Sequence, residues 1–460
     1  MNFKDIEVYY FLGIGGIGMS ALARYFHTQG KIVLGYDRTS TPLTTELEME
    51  GIAVHFDDNA LEIPGVIRHT DKSKILVVYT PAIPRDSNEL NWFQEHGYSM
   101  MKRSQVLGLI TENTRTIAVA GTHGKTTTSS LIAHILTHSG VGCNAFLGGI
   151  TTNYGTNLLL SKDSPWTVVE ADEYDRSFLT LSPEISVITS MDADHLDIYG
   201  SHEYMLESFN LFAAKLKTGG SLIYKAGLPL NTEVLPDGIS VESYSLIHSA
   251  DYRGRDIEIT NHQYSFTFQS PEFKWDNILA GLPGTHNIEN AVAAVVVALK
   301  LGLSEDQIRE AIRSFRGVKR RFEYHIKSDD FVLIDDYAHH PEELKACIQS
   351  VRELYPGKKI TGVFQPHLFS RTRDFADEFA RSLELLDDVI LLPIYPAREL
   401  PIEGIDSQML LDKISKGSKN LIAKSELLAV LRSKPREVVV MLGAGDIDAL
   451  VKPVAAEFSA

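Results

Sequence analysis

Along the chain, short apolar runs alternate with longer amphipathic segments. Glu7–Leu12, Ile32–Tyr36 and Lys74–Tyr79 read as strands, and a glycine loop with a helix through about Gln29 follows the first of them. A second unit opens with a strand at Thr116–Ala120, then the loop Gly121–Gly124, then a helix from about Lys125 to His138. Trp166–Glu170 and Ile185–Thr189 are continuous apolar runs, the pattern of strands covered on both faces of a parallel sheet. Residues 251–275 alternate through Ile257, Ile259, Tyr264, Phe266 and Phe268, which predicts a small antiparallel excursion. Asn287–Leu301, rich in Ala and Val, predicts a closely packed helix. Phe331–Ile334, Ile360–Phe364, Val389–Leu392 and Val438–Leu442 repeat the strand rhythm with helices between them. The fold class is therefore α/β in three domains. They are a Rossmann-like N-terminal domain (1–106), a central P-loop-type α/β domain (107–320) and a C-terminal Rossmann-like α/β domain (321–460).

Composition narrows the function more than the fold. The 460 residues carry a formal net charge of −16, which argues against a nucleic-acid or anionic-membrane surface but leaves room for a local cationic pocket. Hydrophobic residues at 44% and charged residues at 23% exclude a disordered chain. The two cysteines, Cys143 and Cys347, form no CxxC pair, so neither a disulfide framework nor a thiolate zinc site is expected. MNFKDIEVYYFLGIGG has no leader pattern, and apolar stretches such as Ala291–Leu299 fall short of the roughly 20 residues that span a bilayer. The expectation is a cytoplasmic protein, monomeric or weakly dimeric, with no nucleic-acid or membrane partner.

Two glycine loops carry the first chemistry. Gly13-Ile14-Gly15-Gly16-Ile17-Gly18 satisfies GxGxxG between a strand and a helix, and Asp37 closes the next strand where a dinucleotide fold places its ribose-binding acid. The pattern selects a diphosphate, with NAD(P), FAD and a nucleotide sugar all open; a bare strand–helix turn is the bland alternative. The loop Gly121-Thr122-His123-Gly124-Lys125-Thr126-Thr127 departs from the Walker form, having Val119 where a glycine is required. Its mechanics survive, because backbone amides can cradle β- and γ-phosphates, Lys125 adds a point charge and Thr126 a hydroxyl for Mg²⁺. ATP with Mg²⁺ follows.

Acidic clusters follow the next two apolar strands, Glu170-Ala-Asp172-Glu173-Tyr174-Asp175 and Asp192-Ala-Asp194-His195-Leu-Asp197. Strand C-terminal ends are where α/β ligand sites gather. One such carboxylate and a nearby histidine can complete a magnesium shell, although imidazole is an unusual ligand for so hard an ion. Some of these acids serve equally as helix caps or solvated loop residues.

These strings, joined by His286-Asn287-Ile-Glu-Asn290-Ala291, Arg320-Arg321-Phe322-Glu323, Asp335-Asp336-Tyr337-Ala-His339-His340-Pro341 and Phe364-Gln365-Pro366-His367-Leu-Phe-Ser-Arg371-Thr-Arg373-Asp374, resemble the Mur ligase family. These are ATP-dependent amino-acid ligases of peptidoglycan precursor synthesis, and the resemblance runs through the whole chain in order. The last two strings look like the branch that adds the first amino acid. A recycling branch that attaches a tripeptide shares GTHGKTTT and a similar AHHP string, but is expected to lack the segment 364–374.

The resemblance implies UDP rather than NAD at the first loop, with UDP-N-acetylmuramate, L-alanine, ATP and Mg²⁺ as ligands and an acyl phosphate as intermediate. It implies Lys125 on the phosphates, Thr126 and Glu170 on one Mg²⁺, and His195 on a second. Arg320 or Arg321 would reach the γ-phosphate on domain closure. His286, Asn287 and Asn290 would lie near adenine and phosphate, with Asp336 at the ribose. Tyr337, His339, Arg371 and Arg373 would place L-alanine, and His123 the sugar carboxylate. Gly15, Gly16, Gly18 and Asp37 would hold UDP, with Thr80 and Arg103 near uracil or sugar. Local readings stand beside two of these: Asn290 as a cap or packing residue, and Arg373 as a surface partner of Asp374. From other classes, a nicotinamide-dependent oxidoreductase leaves GKTTT and the third unit without work, and a slow nucleotide switch leaves the third unit's strings without work.

Overall fold

The computed structural model describes residues 3–193, 196–397, 399–435 and 437–459. They fall into two compact units: Met1–Arg253 with Val292–Ala311, and Gly254–Ala291 with Ile312–Ala460.

The first unit contains two sheets. In one, β1 (Val8–Leu12), β2 (Ile32–Tyr36), β3 (Ala53–His55), β4 (Ile75–Tyr79) and β5 (Ser99–Lys102) lie in the order β3-β2-β1-β4-β5, all parallel. The chain reverses its direction of winding between β1 and β4, so the glycine loop leaving β1 opens at the topological switch point. The other sheet is built from β6 (Arg115–Ala120), β7 (Asn144–Phe146), β8 (Leu158–Leu159), β9 (Trp166–Glu170), β10 (Ile185–Ile188), β11 (Ser221–Lys225) and β12 (Ser240–Ser245). Their order is β12-β11-β10-β6-β9-β7-β8, with only β8 antiparallel to its neighbour. β6 is flanked by β10 and β9, so the phosphate loop and both acidic clusters leave the same sheet edge.

Burial on both faces explains the continuous apolar runs. Tyr9 to Leu12, Ile117 to Ala120, Val168, Val169, Val187 and Ile188 are all closed to solvent. One apolar core links the two sheets, running from Tyr9 and Phe26 through Ala118 to Phe178 and Phe212. A polar tie crosses the same seam. The buried Arg24 donates from Nη1 to Asn157 Oδ1 at 2.9 Å, and Asn157 Nδ2 donates to the Ile17 carbonyl and to Ser20 Oγ at 2.5 and 3.1 Å.

β13 (Tyr252–Thr260) begins beside β12 in parallel register, which corrects an antiparallel reading of that stretch. The alternation that follows does form an antiparallel pair in the second unit, β14 (Gln263–Gln269) with β15 (Lys274–Leu279). The main sheet of the second unit comprises β16 (Glu323–Lys327), β17 (Val332–Asp336), β18 (Ile360–Phe364), β19 (Asp388–Leu391), β20 (Ser418–Leu421) and β21 (Val438–Leu442). Its order is β16-β17-β21-β18-β19-β20, with β16 antiparallel and the rest parallel. β21 inserts between β17 and β18, so the loops after Asp336 and Phe364 flank one crevice. Among the described residues no helix is long and apolar enough to cross a membrane.

Asn157→Ala takes one acceptor from the buried Arg24 guanidinium, which keeps Glu50 and Glu46, and one of the donors to the Ile17 carbonyl, which keeps Ser20 Oγ. It should destabilise the protein by about 1–3 kcal/mol in denaturant unfolding with an unchanged m-value. A loss below about 0.5 kcal/mol would remove the tie from the seam.

Candidate active site

A cavity of about 820 Å³ lies in the first unit between the strand ends of its two sheets. Gly15, Gly16 and Gly18 line one side, Asp37, Thr80 and Arg103 the rim, and Gly148, Glu170 and Asp172 the far wall. The loop is braced from beneath, since Asp37 Oδ2 accepts the Gly15 N–H at 2.7 Å. Gly18 lies against Arg103: a Cβ there would stand 2.8 Å from Nη1 and would have to displace that side chain. Arg103 Nη2 in turn stands 3.8 Å from Asp172 Oδ2, so a cation from the first sheet meets a carboxylate from the second.

The helix Ile17–Thr28 starts at Gly16 with no side-chain cap and no acid in its first turn. The helix Lys125–His138 starts at Gly124 in the same way. Uncapped, acid-free helix N-termini present N–H donors and a positive dipole end, the condition for anion binding.

The phosphate loop turns directly over β10. Gly121 has φ of +140°, and a Cβ there would lie 2.1 Å from Thr189 Oγ1, so only glycine fits. Ser190 Oγ accepts the His123 N–H at 2.7 Å and meets Thr122 Oγ1 at 2.9 Å, and Thr189 Oγ1 donates to the His123 carbonyl at 2.5 Å. Lys125 Nζ donates to the Gly121 carbonyl at 2.6 Å and lies 2.9 Å from both oxygens of the fully buried Glu173. Burial pulls the Lys125 ammonium down, but the Glu173, Asp172 and Glu170 carboxylates more than reverse this, and its pKa lies above the ordinary lysine value. Glu170, at the end of β9, accepts the Gly148 N–H at 3.1 Å. Thr126, in the first turn of the helix that follows β6, and Glu170, at the end of the adjacent strand β9, offer hard oxygen donors of the kind that suits Mg²⁺. His195 lies outside the described residues.

In the second unit, Arg320 is engaged on several sides. Its Nη2 donates to the Gly443 carbonyl at 2.5 Å, its Nε lies 3.5 Å from Asp335 Oδ2, and its guanidinium stands 5.1 Å from the centre of the Tyr337 ring. Arg321 lies over the same ring at 5.2 Å, with Nη1 3.6 Å from Glu343 Oε1. His339 Nδ1 is 3.3 Å from Glu343 Oε2. Burial draws the His339 imidazole down to about 4; Glu343 opposes this, and Arg371 and Arg321 add to it. Burial, aided by Arg321, likewise brings His286 to about 4. Arg321, Tyr337, His339, His286 and Arg371 thus share one electrostatic neighbourhood.

Asp336 accepts the Phe322 and Ala338 N–H groups, each at 2.8 Å, and burial pushes its carboxyl up to about 6 against the pull of Arg321. Asn287 Nδ2 donates to the Pro283 carbonyl at 2.7 Å, and Asn290 Nδ2 leans on Asn287 Oδ1 at 3.3 Å, a local packing arrangement. Arg373 is exposed, with Nε 2.7 Å from Asp374 Oδ1, which is the surface pair that its sequence neighbour suggests. Arg38 and Gly148, which line the cavity, and Thr189 and Ser190, which hold the phosphate loop, were not singled out from the sequence, and Glu173 appeared there only as one acid of its cluster. Thr189 and Ser190 follow β10 immediately, and strand-end position alone was the available signal.

Comparison with known proteins adds a name to these features. Three family models match in succession: "Mur ligase family, catalytic domain" over residues 8–115, "Mur ligase middle domain" over 119–298 and "Mur ligase, glutamate ligase domain" over 320–445. A UDP-N-acetylmuramate–L-alanine ligase of Parabacteroides distasonis is 50% identical over 454 residues, 99% of this chain and 98% of that one. The solved UDP-N-acetylmuramate–alanine ligase MurC of Thermotoga maritima is 26% identical, with a TM-score of 0.81 covering 98% and 99% of the two chains. A murein peptide ligase of Psychrobacter arcticus shares the fold at a TM-score of 0.72 and 22% identity, covering 98% of each chain.

His286 and His339 should remain uncharged at neutral pH and titrate near pH 4 in a ¹⁵N-imidazole NMR titration. Unfolded imidazoles protonate near 6.5, so each contributes a loss of stability as the pH falls from about 6.5 towards 4. Midpoints above pH 6 would contradict their burial.

Proposed function

The chain belongs to the Mur ligase family, and from that premise we propose that it joins L-alanine to the lactoyl carboxylate of UDP-N-acetylmuramate with cleavage of ATP to ADP and phosphate. The observation that carries this reading is the 50% identity to an alanine-adding ligase over essentially the full length of both chains. The reaction supplies an early peptidoglycan precursor and is assigned to the cytoplasm, with the enzyme a monomer or weak dimer acting on no nucleic acid or membrane.

Two displacements account for the atoms. A lactoyl carboxylate oxygen attacks the γ-phosphorus of ATP, ADP leaves, and an acyl phosphate forms. The amine nitrogen of alanine then attacks the acyl carbon, loses a proton, and phosphate leaves with the C–O bond electrons. Both steps bring anions together, so cations and N–H donors aimed at the reacting oxygens do much of the work.

Functionally the chain divides near residues 106 and 321. The glycine loop with Gly15, Gly16, Gly18 and Asp37 receives the UDP diphosphate and ribose, with Thr80 and Arg103 alongside uracil or sugar. Gly121, Thr122, Gly124 and Thr127 shape the cradle for ATP phosphates, and Lys125 exchanges Glu173 for phosphate oxygens. Thr126 and Glu170 would hold Mg²⁺, with His195 at a second ion; the metal neutralises phosphate charge when bound. His123 faces the sugar carboxylate. Arg321, with Arg320 behind it, meets the γ-phosphate; His286, Asn287 and Asn290 serve the adenine side, and Asp336 the ribose. Arg371 clamps the alanine carboxylate, with Tyr337 beside it and Arg373 at the periphery. A neutral His339 imidazole does not repel the incoming amine.

Phosphate release from ATP and Mg²⁺ should require UDP-N-acetylmuramate and be fastest with L-alanine among single amino acids. Turnover only with a murein tripeptide would move the chain to the recycling branch. Lys125→Ala should abolish acyl-phosphate formation while calorimetry still detects UDP-sugar binding. Arg371→Ala should raise the KM for alanine at least about tenfold, the scale of a lost charge-assisted hydrogen bond, with little change for ATP. Unchanged alanine kinetics would remove the clamp.

A further inference from the structure

We propose that Glu323, His325 and Asp335 form a binding site for a divalent transition-metal ion of the zinc class, on the hairpin that opens the sheet of the second unit. Nothing in the ligase reaction calls for it, and it does not rest on that reading.

The strand pairing creates the cluster. Glu323 on β16 stands directly opposite Asp335 on β17, and the register shifts between Tyr324 and Ile326, placing His325 in an irregularity of the ladder. Residues two apart on a strand share a face, so the imidazole joins the two carboxylates. Each of the three side chains brings one ligand atom within 4.8 Å of the others.

Two of those atoms are left unmet. Asp335 is 2% exposed, and its Oδ1 is buried with no hydrogen-bond partner. His325 Nε2 is also buried without one, its nearest acid oxygen being Glu323 Oε2 at 3.8 Å. Unmet buried polar atoms are costly and rare in folded proteins. The other oxygen of Asp335 faces a cation instead: Oδ2 lies 3.5 Å from Arg320 Nε, an ion pair without a hydrogen bond. Glu323 Oε2 accepts the Arg320 backbone N–H at 2.8 Å. Carboxylates that bind metals are oriented by such outer partners on one side and free on the other.

Charge points the same way. Glu323 and Asp335 stand beside a single guanidinium, that of Arg320, which Asp448 also faces at 3.6 Å, so carboxylates outnumber cations there. A dication supplies the missing positive charge. One nitrogen and two oxygen donors suit zinc, cobalt or manganese, whereas calcium and magnesium favour oxygen alone. Ligation at roughly 2.0–2.2 Å draws the three side chains inward and fastens β16 to β17.

The test is a Co²⁺ titration of the full-length protein after chelator treatment, in excess Mg²⁺ to occupy the sites for hard ions. The wild type should show a saturable visible absorption change that Zn²⁺ reverses. His325→Ala and Glu323→Gln should each weaken Co²⁺ binding at least about tenfold, since even outer-shell partners have that effect. His325 is partly exposed, so its replacement is expected to leave the fold intact, checked by circular dichroism. Absence of saturable Co²⁺ binding in the wild type, or the same affinity and spectrum in a folded His325→Ala, would overturn the proposal.

Discussion

The centre of the first unit depends on a lysine ammonium held against a fully buried carboxylate at the edge of a parallel sheet. Lys125 and Glu173 come from loops that leave adjacent strands, β6 and β9, and neither charge is tolerable there without the other. Removing one partner of such a pair typically costs about 3–5 kcal/mol, because the remaining charge stays buried. The pair therefore helps fix the curl of the phosphate loop. Two carbonyls of the loop, those of Gly121 and Thr122, complete the lysine's shell.

Around that pair the unit solves a charge problem. The chain is acidic overall, and its site must bind anions while carrying Glu170, Asp172 and Glu173. Side-chain cations do only part of this. Backbone does the rest, through two helix N-termini that have no acid in their first turn. A dipole end and its N–H groups offer positive potential without a side chain that must be ordered. The second unit uses the opposite device. There Arg320 and Arg321 flank one ring, Tyr337, and burial keeps His286 and His339 uncharged beside them. Each arginine also faces carboxylates, Arg320 those of Asp335 and Asp448 and Arg321 that of Glu343.

Much of this could be read from local pattern. Central strands such as Tyr9–Leu12 and Ile117–Ala120 were visible because burial on both faces demands unbroken apolar runs. Short strands at or next to sheet edges, β3, β7 and β8, carry two or three residues each and leave no periodic trace. The parallel entry of β13 was also hidden, since alternation reports a half-covered strand and not the direction of its neighbour. Among site residues, those in glycine loops and acidic strings stood out by composition. Glu173 looked like one of several loop acids, and only its distance to Lys125 distinguishes it. Ser190 and Gly148 had no compositional mark at all.

What the sequence determined alone was the α/β class, the two glycine loops, the family strings and the exclusion of a disulfide framework, because each is written in residues close together in the chain. What only tertiary structure decided was the partner of every charge. That the first two sheets share one core, that Asp37 braces the Gly15 N–H, that Glu173 rather than Asp172 or Asp175 holds Lys125, and that Arg320 is spent on Asp335 and Gly443 all depend on strand order. Strand order in a parallel sheet is set by crossovers that bring distant segments side by side, and no local pattern of residues specifies which strand ends will meet.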